Sequence, residues 1–488
     1  MIAQKVLFLV SFATILTIIT LCALLPSSYV EIYEYPLDYF EPISLDHKSL
    51  IGSKGSSKST IDPDVPISIV NKEPEPTNED SRMEMVADAN GNPKKYLNGH
   101  YYTEYLKILR EQHNEMLYDL VHKADLAVAN TSVYSVTLKP QLAPSNDPHD
   151  YLSLARYFWP NPDTKDGMPY IRKDGYSNPE ILTVEDYTLL RKLMIEVQHL
   201  GFGYFFTKND TYVKKVIHRL NEWFVDPKTK MNPNLNYGSL IKGSKLGRRT
   251  GVLDFHPIYQ ITQSIPLMRS SEFWDHNIES QFKQWLTEYY DWLKKSEHGR
   301  IERNSKNNHG TFYDVQAIHI LEYIGQVKEA KDFAQKALKN RVNTGILADG
   351  QQPHETDRPT SWFYSTFNLH ALFLLAERAT HLGFDGWNYR GKNNQSIKTA
   401  VDYLLPFALN GGEGWKFINI DGFKMNNYVR ILELSWIVWG DDKYLDAIEI
   451  LRPKSKAEQA SDNVEAWEEN ALCVWSLLND RTLWPCLL

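Results

Sequence analysis

The sequence predicts an all-α protein built as an α/α toroid, an incomplete barrel of antiparallel helix hairpins. Three observations carry that reading. Apolar residues recur at helical spacing in segment after segment, the breaks between segments are short and polar, and no fixed repeat period runs along the chain. Helices joined by short turns lie antiparallel to their neighbours. An open solenoid would show a constant period, so its absence favours a nearly closed ring, with a groove at one end that suits a polymer.

The first element is not part of that ring. Lys5 precedes an uncharged, largely apolar run from Val6 to Leu25, closed by Pro26 and Ser27. Residues 1–26 read either as a signal peptide or as a signal anchor, since about twenty apolar residues can span a bilayer. Both readings send the rest of the chain into the secretory pathway, to be secreted or displayed outside on a single membrane-spanning segment. Residues 27–95 carry Gly52-Ser-Lys-Gly-Ser-Ser-Lys-Ser, Asp62-Pro-Asp-Val-Pro and Glu73-Pro-Glu-Pro. Such a composition cannot bury enough apolar surface to order itself and is expected to form a flexible stalk.

The folded body is expected over residues 96–488, beginning near Tyr96. Thr183-Val-Glu-Asp suggests a helix start with Thr183 as N-cap and Asp186 three residues on. Behind it Tyr187, Leu190, Met194 and Val197 share one helical face. Val213, Val216, Ile217, Leu220, Trp223 and Phe224 mark a second helix, and Phe282, Trp285, Leu286, Tyr289 and Leu293 a third. Ile318, Leu321 and Ile324, then Ala330 to Leu338, then Leu369 to Leu375 continue the series. Trp415 to Phe423 is the main candidate for a β-hairpin.

Composition removes several function classes. The formal net charge is −8 over 488 residues, with no basic stripe for nucleic acid. No His/Asp/Glu cluster has metal-ligand spacing, and neither a Gly-x-Ser-x-Gly elbow nor a phosphate-cradling loop is present. No cofactor is expected. Of 3 cysteines, Cys22 lies in the apolar run, leaving Cys473 and Cys486 as a candidate disulfide or two buried thiols. Asn130-Thr-Ser, Asn209-Asp-Thr and Asn394-Gln-Ser are glycosylation triplets.

Three stretches interrupt the helical pattern with dense polar and aromatic residues. The first runs Tyr151-Leu-Ser-Leu-Ala-Arg-Tyr-Phe-Trp-Pro-Asn-Pro and on to Asp166-Gly-Met-Pro-Tyr-Ile-Arg-Lys-Asp-Gly. The second spans Asn232-Pro-Asn-Leu-Asn-Tyr to Gly247-Arg-Arg-Thr-Gly. The third pairs Asn307-Asn-His-Gly-Thr-Phe-Tyr-Asp with Glu355-Thr-Asp-Arg-Pro-Thr-Ser-Trp-Phe-Tyr. In these motifs, taken in order from Tyr151 to about Leu369, the sequence resembles the alginate-lyase-like polysaccharide lyases. The resemblance implies an α/α toroid, lyase activity on 1,4-linked uronates and no obligatory metal. It places the family's asparagine–histidine pair on Asn308 and His309, its arginine on Arg358 and its tyrosine on Tyr364. Where the family usually has a basic or small residue between the last two, this chain has Pro359-Thr360.

The chemistry of those residue types fits independently. β-Elimination removes the proton at C5 of a uronate and expels the oxygen at C4. The proton is acidic enough only when the neighbouring carboxylate is neutralised, so the site needs a neutraliser, a base and an acid. Arg358 can grip a carboxylate bidentately, and Asn308 can donate to it as enolate character develops. His309 or Tyr364 can act as base, and Tyr364 can protonate the leaving oxygen. On glucuronan or mannuronate-type alginate the C5 proton and C4 oxygen share a face, which favours Tyr364 in both roles with His309 orienting. Guluronate would favour His309 as base.

Outer contacts with an anionic polysaccharide are expected from Trp159, Tyr237 and Trp362 as sugar platforms and from Asn236 and Glu355 as polar partners. Arg248 is expected to meet a substrate carboxylate, with Arg249, Lys242 and Lys245 as further candidates, while His256 reads as structural. Two other functions stay open at this point. An inverting glycoside hydrolase would need two carboxylates roughly 6.5–9.5 Å apart, for which Asp314, Glu355 and Asp357 are available. A catalytically inactive polyuronate-binding protein would need none of this chemistry.

Overall fold

A computed structural model describes residues 118–461. The apolar N-terminal run, the expected stalk, the start of the body near Tyr96, and Cys473 and Cys486 all lie outside the described residues.

Two kinds of helix alternate. After a helix over residues 118–129, α1, come α2 (Asp186–Thr207), α3 (Asp210–Leu220), α4 (Ile258–Met268), α5 (His276–Lys295) and α6 (Glu297–Arg303). Then follow α7 (Asn308–Tyr323), α8 (Val327–Gly345), the single turn α9 (Pro353–Thr356), α10 (Ser361–His381), α11 (Ile397–Leu409), α12 (Asn426–Trp439) and α13 (Asp442–Ser461). α3 buries one stripe, Tyr212, Val213, Val216 and Leu220, and is capped by the Asn209 side chain accepting from Thr211 N–H. α5 buries Phe282, Trp285, Leu286, Tyr289, Tyr290 and Leu293, and Asp275 caps its first turn. A single buried stripe marks a helix with solvent behind it.

α7 and α10 differ. Asn308, then Gly310 through Leu321, are buried without a break, as are Tyr364 through Ala379. Helices buried all round line the inside. Packing passes from α2 to α4, from α4 to α7, from α7 to α10 and from α10 to α12, while α3, α8 and α11 pack against members of that inner series. The result is the α/α toroid that the sequence leads one to expect. Among the described residues no helix is long and apolar enough to cross a membrane.

Strands occur only in the polar stretches. β1 (Leu152–Leu154) pairs in parallel with β4 (Tyr237–Leu240), and β2 (Phe158–Trp159) pairs antiparallel with β3 (Ile171–Arg172). β4 also lies against a 3₁₀ helix, Arg249–Phe255, through glycine backbones: a Cβ on Gly251 would sit 2.3 Å from the carbonyl carbon of Gly238.

Two local expectations are corrected. Thr183 ends a 3₁₀ turn and donates to Glu180 O, while α2 has Glu185 at its N-cap with no side-chain cap. Asp186 instead accepts from the Leu152 N–H and pairs with buried Lys139, so tertiary contacts replace the local cap. The segment from Trp415 to Phe423 forms turns, with one bridge between Thr360 and Asn419. Its aromatic residues pack into the core around Trp362 and do not form a two-sided strand pair.

Candidate active site

The corner between α6 and α7 sets the position of Asn308 and His309. Arg341 on α8 reaches into it, donating to the carbonyls of Arg303, Ser305 and Gly310 and to Asp314. Gly310 fits only because it has no side chain: a Cβ there would lie 2.1 Å from Ser305 O and 2.5 Å from Arg341 Nη1. Asp314 is thereby buried in an ion pair with Arg341 and is not available to a substrate.

His309 follows at the start of α7, partly open to the site. Its Nδ1 meets Glu302, a buried carboxylate that also pairs with Arg249 and Ser305. With Nδ1–H donating to Glu302, the other nitrogen, Nε2, carries the lone pair. Burial pushes the Glu302 carboxyl up, but His309 and Arg249 together outweigh it and hold the group below its ordinary value. Glu302 was not among the residues expected from sequence.

Asn308 is fully buried. Its backbone N–H and its side-chain amide both meet Glu355, on α9, at 2.5 and 2.6 Å. Glu355 is 1% exposed and both its oxygens are taken up by Asn308, which stands between it and the site, so the expected contact with the polymer is not made by Glu355 itself. Burial raises its carboxyl to about 7, against the opposing pull of Asn308 and Arg358.

Three residues further along, Arg358 joins the two halves of the site. Its Nη2 lies 2.9 Å from the Tyr364 hydroxyl, and its guanidinium carbon stands 3.8 Å from the centre of the same ring. The same Nη2 and the Nε also donate to Asp174, at 2.9 and 3.3 Å. This corrects the expected free bidentate grip on a substrate: that geometry is already taken by Asp174, which also pairs with Arg172. Burial raises the Asp174 carboxyl, but the two arginines prevail and hold it low. Tyr364, 6% exposed on α10, shares a 2.7 Å hydrogen bond with the hydroxyl of Tyr157. Burial raises the Tyr364 phenol, Tyr157 adds to the rise and Arg358 opposes it. The resting phenol is therefore protonated.

The structure thus joins Asn308, Arg358 and Tyr364 through Glu355 and the turn that follows it, with His309 next to Asn308. The outer residues divide. Arg248 lies over the Phe158 ring at 4.7 Å and forms no salt bridge among the described residues, though Glu302 is near enough to raise its pKa against the other influences. Burial and the charges of Arg172 and Arg249 lower its pKa, as expected where cations crowd to receive an anion. Trp159, next to Phe158 on β2, is half-buried, with Lys173 above its ring and its indole N–H donating to Tyr176 O. Asn236 holds the Trp292 indole on α5, Tyr237 packs against the small core beneath β1, and Lys242 pairs with Glu180.

Trp362 is a correction. It is 1% exposed, donates to Lys424 O and packs against Trp415, Phe423 and Tyr428, so it has no face to offer a sugar. His256 is buried, with Nδ1 at the Leu253 carbonyl, and burial holds it far below its ordinary pKa. Asp357 is exposed. Among the described residues no group of three histidine, cysteine or carboxylate side chains could hold a metal ion.

A helical toroid carrying this asparagine, histidine, arginine and tyrosine has the form of a polysaccharide lyase. The family model described as alginate lyase matches residues 135–415, and the chain belongs to that family. It is similar to a crystallised alginate lyase from Bacteroides ovatus, with 31% identity and a TM-score of 0.65, over 71% of this chain and 93% of that one. It also matches alginate lyase A1-III from Sphingomonas species A1, at 16% identity and a TM-score of 0.44, over 67% of this chain and 88% of that one. No curated protein sequence matches the chain. The protein is a polysaccharide lyase, a carbon–oxygen lyase whose substrate is a polyanionic polysaccharide.

Proposed function

We propose that this lyase cleaves a β-1,4-linked uronic-acid polymer, glucuronan or mannuronate-type alginate, by β-elimination. The observation that carries the reading is the Arg358–Tyr364 contact, 2.9 Å from Nη2 to the hydroxyl, tied to Asn308 through Glu355. In the reaction the Asn308 amide, uncovered as the sugar enters, donates to the uronate carboxylate and so acidifies C5, while His309, held at Nδ1 by Glu302, orients the sugar. The sugar takes the place of Tyr157 at the Tyr364 hydroxyl, which removes a neighbour that raises its pKa and leaves Arg358 to stabilise the phenolate. Once its own proton has passed to solvent, the Tyr364 phenolate takes the C5 proton, the C4–O4 bond breaks, C4=C5 forms, and the phenol so made gives that proton to O4. Arg358 offers a substrate carboxylate only its Nη1 edge while Asp174 holds the rest.

The inverting-hydrolase reading loses two of its three carboxylates, since Asp314 and Glu355 are both buried and engaged, and exposed Asp357 alone does not make the required pair. Purified glucuronan, mannuronan and guluronan, scored for product absorbing in the ultraviolet, test the proposal. Absorbing product from one of the first two supports it; new reducing ends without absorbance, or no release at all, sink it.

The proposed setting is the secretory pathway, with residues 1–26 as signal or anchor. Exposed Asn394 is the best placed of the three sequons, whereas the Asn130 amide is committed to Tyr134 and Glu196. Full-length protein made in a eukaryotic host should enter the lumen and carry glycan; unglycosylated cytosolic protein would contradict this.

A further inference from the structure

Asn308 and Glu355 form the most enclosed pair in the site, and their polarity decides what the amide presents to an anion. The amide's far end, Oδ1 as placed, is buried and has no hydrogen-bond partner, while Nδ2 faces Glu355. A buried polar atom without a partner calls for an explanation. Asparagine oxygen and nitrogen exchange places by a half turn, and the choice between them rests on the surrounding bonds. If Glu355 is ionised, it accepts from both Asn308 nitrogens, and Oδ1 is left buried without a partner, an acceptor in the place where a substrate carboxylate would need a donor. That arrangement opposes the neutralisation that elimination requires. If Glu355 is neutral, its Oε1 still accepts from the Asn308 N–H and its Oε2–H donates to Oδ1. The amide then places its NH₂, a donor, where the unpartnered oxygen stood.

Geometry favours the second arrangement. Glu355 is 1% exposed and forms no ion pair among the described residues, and a buried, unpaired carboxylate is costly enough to be protonated instead. The 2.6 Å separation from the amide suits an O–H···O bond. The groups around the carboxyl are few: the Asn308 amide and N–H from α7, Arg358 on the turn that follows, and the Tyr364 phenol of α10 beyond it.

We infer that Glu355 is a neutral carboxylic acid in the working enzyme and acts as a positioning residue, donating its proton to Asn308 Oδ1 so that the amide NH₂ faces the substrate carboxylate. The functional part of this inference rests on the lyase reading; the protonation state does not. It also explains why a second negative charge is not brought beside an anionic substrate. The carboxyl's rise to about 7 through burial agrees with it.

The sign of the pH dependence follows. An acid whose folded pKa lies above its unfolded value contributes stability that is fully present below the unfolded value, here 4.5, and is lost as pH rises through about 7. Turnover carried by the neutral form falls at most about tenfold per pH unit above that point. Glu355→Gln keeps one acceptor and one donor in the same places but cannot ionise.

The test labels glutamate δ-carbons in the wild type, which excludes the raised aspartates Asp186 and Asp254, and follows their resonances with pH. One glutamate carboxyl should titrate near neutrality and be missing from Glu355→Gln. The variant's melting temperature should gain on that of the wild type between pH 4.5 and 7, and the ratio of variant to wild-type turnover should rise across neutral pH. If every glutamate titrates below about pH 5, or if Glu355→Gln fails to fold below pH 6, the inference is overturned. A near-neutral titration in a protein that releases no unsaturated product would leave the protonation state standing and count against the lyase reading.

Discussion

Tyr364 and His309 are separated by their surroundings more than by their chemistry. Tyr364 touches Arg358 and Tyr157, two groups with opposite effects on its proton, whereas His309 is fixed at Nδ1 by Glu302. On glucuronan or mannuronan, Tyr364→Phe should remove a general acid–base group, a loss of roughly 10²–10⁴-fold. His309→Ala should retain more activity than that. Glu302→Gln should weaken His309 through its orientation, and Glu302→Asp should recover part of the loss. Turnover of folded variants, checked by melting, decides. A dead His309→Ala beside an active Tyr364→Phe would reverse the assignment of the base.

Asn308, His309, Arg358 and Tyr364 were legible because they sit in ordered motifs. Their partners were not. Tyr157 lies 207 residues from Tyr364 and Asp174 lies 184 from Arg358, and although both fall within the motifs of the first polar stretch, nothing local says which residue each meets. Trp362 misled because an aromatic residue beside a site motif reads equally as a platform or as core, and only the packing of Trp415, Phe423 and Tyr428 around it decides.

At the scale of elements, the α6–α7 corner is held by one arginine and one missing side chain. Gly310→Ala would press against Ser305 O and Arg341, and overpacking of this kind costs on the order of 1–3 kcal/mol. The melting temperature should fall by several degrees. Because the corner carries Asn308 and His309, turnover should fall further than stability alone explains. A variant with unchanged melting and turnover would show that the corner relaxes freely. The outer helices were readable from sequence because each buries a single stripe. α10 shows why the inner ones were only partly so: it is buried on all sides, and polar residues such as Asn368 and His370 lie inside with the apolar ones. Strands of two to four residues give no periodic signal at all.

For the whole molecule, an acidic chain handles a polyanion by concentrating cations at one place. Arg172, Arg248, Arg249 and Arg358 come from three separate polar stretches, and among the described residues all of them except Arg248 form salt bridges with carboxylates. The toroid brings those stretches together, which composition and net charge could not show. The central claim is that this assembly breaks C4–O4 by elimination, and the structure of the new chain ends tests it most directly. Glucuronan and mannuronan digested by the purified protein, examined by proton NMR, should show non-reducing ends with a C4=C5 double bond and its vinylic H4. Digestion that leaves saturated non-reducing ends on both polymers would contradict the account.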